Sequence, residues 1–201
     1  MMLQRLVLGS SSPRRRELLK AAGFSFEVLE AAIDESRRPN ETADDYAARM
    51  SEEKATAVAG KCDSESPVLV LGADTVVAVG SEVMGKPEST TEAAGMLRLL
   101  SGREHRVLTG VCLECAMNRK ILWKQVRVAT TLVQFRLLEE EEIAGYVASG
   151  EPMDKAGAYA IQGLASKFVE RIDGCYFNVV GLPLSVVDRM MAEFEADFRL
   201  E

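Results

Sequence analysis

Histidine occurs once in these 201 residues, tryptophan once and cysteine four times. A lone His105 excludes His-rich metal centres, and no Gly-x-Ser-x-Gly elbow exists to carry a nucleophilic serine. It reads as a structural residue in the turn Ser101-Gly-Arg-Glu-His105. Four cysteines are too few for a disulfide scaffold. Cys112-Leu-Glu-Cys115 has the spacing of a metal knuckle, but it sits inside a strand-like run. Positions three apart on a strand face opposite ways, so the pair reads as structural. No run of 18 apolar residues is present, which excludes a membrane-spanning helix. The start, Met1-Met-Leu-Gln-Arg5, lacks the apolar core of a signal peptide, so a cytoplasmic protein is expected. A net charge of −7 argues against nucleic acid as the main partner. Gly-x-Gly-x-x-Gly and Walker A patterns are both missing.

What is present is anion-binding chemistry at one strand-to-helix junction. Leu6-Val7-Leu8 reads as a strand, followed by Gly9-Ser-Ser-Ser-Pro-Arg-Arg-Arg16. Ser12 suits an N-cap, Pro13 the first helical position, and Gly23 the C-terminal stop. Arginines in the first turn oppose the helix dipole, an arrangement that a bound polyanion offsets. Backbone N–H groups and serine hydroxyls there form a site for phosphate.

Strand and helix signals then alternate. Phe24 to Leu29 reads as a strand, and Thr42 with Asp45 caps a helix reaching about Lys61. Tyr46, Met50 and Ala57 recur along that helix, and Lys54 falls on the same stripe, where it either snorkels outward or reaches a site. Val68 to Gly72 is a buried strand ending at Asp74. Gly80-Ser81 marks a hairpin. Ser89 with Glu92 caps a helix through Leu100, and two long strands flank Asn118-Arg119. A helix from Glu139 to Ala148, a glycine-rich stretch from Gly150 to Gly163, a strand near Phe168 to Ile172 and a last helix after Pro183 complete the chain. Residues 1–201 are therefore expected to form one α/β domain with a mixed sheet and flanking helices.

The candidate chemistry rests on carboxylates and cations. Asp74, at the end of a buried strand, lies where α/β proteins place ligands. Glu35 follows in a loop, with Asp34 as an alternative. Hard oxygen donors of this kind suit Mg²⁺ or Mn²⁺ bridging to phosphate. Arg14, Arg15, Lys54 and Lys86 carry enough charge to neutralise a triphosphate, and Gln162 has both the donor and the acceptor that reading a base edge requires.

These segments resemble the Maf-like family of nucleoside triphosphate pyrophosphatases along nearly the whole chain. The resemblance rests on Leu8-Gly-Ser-Ser-Ser-Pro-Arg-Arg15, Glu53-Lys54-Ala55, Gly72-Ala-Asp-Thr-Val76 and Gly85-Lys-Pro87. It continues through Leu100 to His105, Thr109-Gly-Val111, Glu151 to Tyr159, Ile161-Gln-Gly163 and Val180-Gly-Leu-Pro183. It implies an elongated two-lobed fold like that of the inosine triphosphate pyrophosphatases, with a central cleft. It also implies metal-assisted hydrolysis of a nucleoside triphosphate to monophosphate and pyrophosphate, and a homodimer. In the family the aspartate matching Asp74 is the proton acceptor, and the residues matching Ser10, Arg14, Arg15, Glu35, Lys54, Lys86 and Gln162 are associated with the site. On that basis Glu35 and Asp74 are expected to bind the metal, Lys54 and Lys86 to act with Asp74 in catalysis, and Ser10, Arg14, Arg15, Thr75 and Gln162 to bind substrate. Members preferring 7-methyl-GTP carry Trp, Gln and Glu where this chain has Arg14, Thr75 and Gln162. The resemblance therefore implies the dTTP/UTP type. Purine or modified triphosphates are the alternative substrates, and a nucleotide-sensing regulator of cell division is the non-catalytic alternative. Gly9, where alanine is frequent, is a small departure.

Overall fold

The computed structural model describes residues 5–198. Strand β1 (Arg5–Gly9) leads to helix α1 (Pro13–Ala21), β2 (Glu27–Val28), α2 (Ala43–Ala59), β3 (Val68–Val79) and β4 (Glu82–Met84). Then come α3 (Thr90–Leu100), β5 (Glu104–Met117), β6 (Lys120–Phe135), α4 (Glu140–Ala148), β7 (Val169–Asp173), α5 (Tyr176–Val180) and α6 (Leu184–Phe198). The strands form a seven-stranded sheet in the order β2-β1-β3-β5-β6-β7, with β4 paired to β3. Parallel pairing of β1 with β2 and β3, and antiparallel pairing of β3 with β4 and β6 with β7, make it the expected mixed sheet.

Two compact units divide the chain. The first takes the residues up to Asp74, Thr109–Ala129 and those from Gly181 onward; the second takes Thr75–Leu108 and Thr130–Val180.

In the first unit α1 ends in a Schellman motif: Phe24 N–H reaches Leu19 O, Gly23 N–H reaches Lys20 O, and Gly23 takes φ +82°. Thr42 Oγ1 accepts from Asp45 N at 3.1 Å and starts α2 as its sequence requires. The buried face of α2 is Ala43, Ala47, Met50, Ser51, Lys54, Ala55 and Val58, while Tyr46 and Ala57 are only half-buried. Small residues occupy that face because the helix lies almost on the sheet backbone. A Cβ on Gly72 would stand 2.2 Å from Ser51 O, and one on Gly110 would stand 1.9 Å from Ala47 O. At Gly9 it would meet Val58 Cγ2 at 3.3 Å, so the departure at that position suits the same close approach. Val7, Val70 and Cys112 close the core beneath Ala55 and Val58.

The second unit holds the β3–β4 hairpin, whose Gly80 takes φ +58°, and the helices α3 and α4. Its core gathers Leu97, Leu100, Phe135, Ile143, Tyr146 and Phe168. Ser89 Oγ accepts from Glu92 N at 3.1 Å to begin α3.

Two features differ from expectation. The strand foreseen over Phe24 to Leu29 shrinks to Glu27–Val28, because Phe24 is already used in closing α1. β3 does not stop at Asp74 but continues to Val79, which places the aspartate inside a strand rather than at its end. Tyr176–Val180 is helical despite its β-branched and aromatic composition. There tertiary contacts override propensity: Asn178 Nδ2 donates to Val107 O at 2.9 Å and to Thr131 Oγ1 at 3.0 Å. All four cysteines are free thiols, and among the described residues no three His, Cys, Asp or Glu side chains could together hold a metal. Among the described residues no helix is long and apolar enough to cross a membrane.

Candidate active site

Lys54 is the centre of the first unit's polar cluster. The close seat of α2 on Gly72 places it beside the strand residue two further on, and Lys54 Nζ donates to Asp74 Oδ1 at 2.6 Å. The same ammonium lies 2.8 Å from Glu35 Oε1. Lys54 does not snorkel: its side chain is 11% exposed and that of Asp74 12%, against 52% for Glu35. Two carboxylates thus converge on one buried cation, an arrangement whose desolvation is costly and which adds little to folding.

Asp34, the alternative to Glu35, turns back on its own loop. Its Oδ1 accepts from Ser36 N at 2.9 Å, and that hydrogen bond holds its carboxyl below the ordinary value. Glu35 alone of the two reaches Lys54.

Arg15 is buried and already committed to the protein. Its Nη1 donates to Ser10 Oγ at 3.0 Å and to Ala73 O at 2.9 Å, and its Nε donates to Gly181 O at 2.8 Å. One guanidinium therefore ties together the segment before α1, the strand backbone adjoining Asp74 and the entry to α6. Burial pushes the Arg15 guanidinium below its ordinary value. The Asp74 carboxylate opposes this, Arg14 adds to it, and Glu35 opposes it more weakly. Ser10 Oγ also accepts from Ser12 N at 3.3 Å, while Ser12 makes no side-chain cap. The structural duty of Arg15 was not legible in the sequence, where three successive arginines look alike.

In the second unit Thr75 is half-buried on β3. Lys86 is exposed in the turn after β4, and Gln162 is exposed in the stretch before Leu164. One backbone hydrogen bond links the two loops that carry them: Gly157 N donates to Gly85 O at 3.0 Å. Gly157 holds φ +66°, and a Cβ there would stand 2.7 Å from Val77 Cγ2, so the position demands glycine. Glu151 braces the same stretch, accepting from Tyr146 Oη at 3.0 Å and from Leu164 N at 3.1 Å. His105 Nε2 meets Tyr159 Oη at 2.8 Å, and burial lowers the imidazole to about 4. It is a neutral core residue, as its context indicates.

The donor set fits a divalent cation. Glu35 and Asp74 present hard carboxylate oxygens on either side of Lys54 Nζ, donors of the kind that a hard divalent cation such as Mg²⁺ or Mn²⁺ takes.

A family model described as Maf-like protein matches residues 5–194. A dTTP/UTP pyrophosphatase of Hahella chejuensis is 50% identical over 193 residues, covering 95% of this chain and 92% of that protein. One from Pelotomaculum thermopropionicum is 47% identical over 192 residues, covering 96% and 97%. Another from Escherichia coli O157:H7 is 49% identical over 191 residues, covering 95% and 93%.

Proposed function

Because the chain belongs to the Maf-like protein family, we propose that it hydrolyses dTTP and UTP to the monophosphate and pyrophosphate. The names of its full-length relatives support that activity. The single observation that carries it is the convergence of Asp74 and Glu35 on Lys54.

In this reading Asp74 takes the proton from a water whose oxygen attacks the α-phosphorus. The new P–O bond replaces the one to the bridging oxygen, and pyrophosphate leaves. Lys54 offsets the charge that grows around the reacting oxygens, and Lys86 is assigned to the departing pyrophosphate. Arg14 and the Ser10 hydroxyl are assigned to phosphate oxygens. Arg15, with three donations to protein acceptors, keeps Ser10 and the Ala73 carbonyl in place. Glu35 and Asp74 are the residues that would hold Mg²⁺ or Mn²⁺, whose chemistry is to neutralise phosphate and to acidify water. Thr75 and Gln162 are assigned to the pyrimidine edge, supported by the identities of these residues and of Arg14. Free cysteines suit a reducing cytoplasm. A homodimer is expected from the family likeness.

A panel of dTTP, UTP, CTP, GTP, dITP and 7-methyl-GTP, assayed for pyrophosphate release with Mg²⁺ or Mn²⁺, tests the proposal. Fastest turnover is expected with dTTP and UTP. Release of orthophosphate, a purine preference, or nucleotide binding without turnover would each overturn it.

A further inference from the structure

Glu35 poses a mechanical problem. It lies in the segment between β2 and α2 that has no regular structure, and its side chain is 52% exposed. A solvent-facing ion pair does not by itself hold a loop glutamate in one geometry, because side-chain and backbone freedom outweigh it. Yet the carboxylate stands 2.8 Å from Lys54 Nζ.

The restraint comes from the helix that carries the lysine. Tyr46 Oη donates to the main-chain oxygen of Glu35 at 2.7 Å, and Arg49 Nη2 donates to that of Ser36 at 3.1 Å. Arg49 is itself fixed. Its Nε and Nη2 donate to the Glu41 carboxylate at 2.5 and 2.7 Å, and its guanidinium lies 5.4 Å from the centre of the Tyr46 ring. Arg37 adds a donation to Glu41 O at 3.0 Å. Tyr46, Met50 and Lys54 follow one another at steps of one helical turn, so the residue gripping the loop and the residue receiving the carboxylate share a rigid stripe.

We propose that Tyr46, seated by Arg49, is a positioning residue that holds the backbone of Glu35 so that its carboxylate meets the Lys54 ammonium that Asp74 also contacts. The catalytic consequence rests on the function proposed above, whereas the positioning itself does not.

Tyr46→Phe in the full chain tests it, because the ring and its contact with Arg49 survive and only the hydroxyl is lost. Amide exchange in residues 34–37 is expected to quicken about tenfold, while exchange in β1 and β3 stays unchanged. With dTTP, kcat should fall about fivefold to tenfold at unchanged KM, the loss of one well-placed hydrogen bond. In a Glu35→Gln background the same change should cost nothing further. Unchanged loop exchange in Tyr46→Phe overturns the inference, and so does a kcat loss that adds in full to that of Glu35→Gln. If Glu35→Gln alone keeps wild-type turnover, the catalytic assignment of Glu35 fails, and the exchange data alone then decide the positioning.

Discussion

The two compact units bury polar side chains in opposite ways. The first sinks an ion pair, Lys54 with Asp74, and a guanidinium, Arg15, into its interior. The second sinks a neutral imidazole. His105 has Phe135 at 4.9 Å and Tyr159 at 5.4 Å, both edge-on, and one hydroxyl partner at 2.8 Å. Burying charge is costly, and a well-packed apolar replacement is often no less stable. Charge retained in an interior therefore points to chemistry, whereas a neutral histidine among aromatic edges points to packing. The contrast sets the proposed functional cluster apart from the structural one on burial and charge alone.

Asp74→Asn strikes the charged cluster hardest. Removing the proposed proton acceptor should lower kcat for dTTP at least about a hundredfold, with circular dichroism and Tm close to wild type, since Lys54 keeps Glu35 as a partner. Near-normal turnover would take Asp74 out of its assigned role. Gly72→Ala attacks the same cluster from beneath. With Ser51 O only 2.2 Å from the new Cβ, α2 must lift from the sheet. Overpacking of this severity costs about 3 kcal/mol, seen as a lower midpoint in denaturant, and it carries Lys54 away from Asp74, so turnover falls as well. Full activity in a folded Gly72→Ala chain would show that the close seat of α2 does not matter.

The neutral cluster is probed by pH. Burial sets His105 at about 4, below its ordinary 6.5, so between those values the unfolded chain binds a proton that the folded chain refuses. Stability is then constant above about 6.5 and declines as pH falls toward 4, by roughly 3 kcal/mol at most. Glu114 acts in the opposite sense. Burial raises its carboxyl, and its stabilising contribution is lost as pH rises past its ordinary value. Comparing wild type with His105→Gln, by urea midpoints from pH 4 to 7, isolates the histidine slope. Parallel curves for the two chains would refute the assignment.

Much of this contrast could be read from the sequence, because it depends on local signals. Thr42, Ser89, Gly23 and Gly80 each announce a cap or turn through their own chemistry, and each fulfils it. Lys54 could be placed on a buried stripe by counting turns. What the stripe could not disclose was how closely it would be seated. That depends on Gly72 and Gly110 lying under Ser51 and Ala47, a pairing of residues distant along the chain. Asp74 looked like a strand end because a polar residue interrupts an apolar run, yet the β3–β4 hairpin carries the strand past it to Val79. Arg15 and Tyr46 escaped for a related reason. Their roles are donations to main-chain carbonyls, and a carbonyl leaves no trace in residue identity.

The smallest expected effect sharpens the comparison most. Tyr159→Phe deletes one hydroxyl from the neutral cluster and leaves both edge-on ring contacts in place. His105 Nε2 then loses its partner inside the core, which costs about 1 kcal/mol or somewhat more and lowers Tm by a few degrees. Turnover of saturating dTTP should not change, because nothing in the neutral cluster moves a proton. A kcat loss comparable to that of Asp74→Asn would mean that the second unit's histidine takes part in the chemistry after all, and the division between charged and neutral interiors would no longer track function.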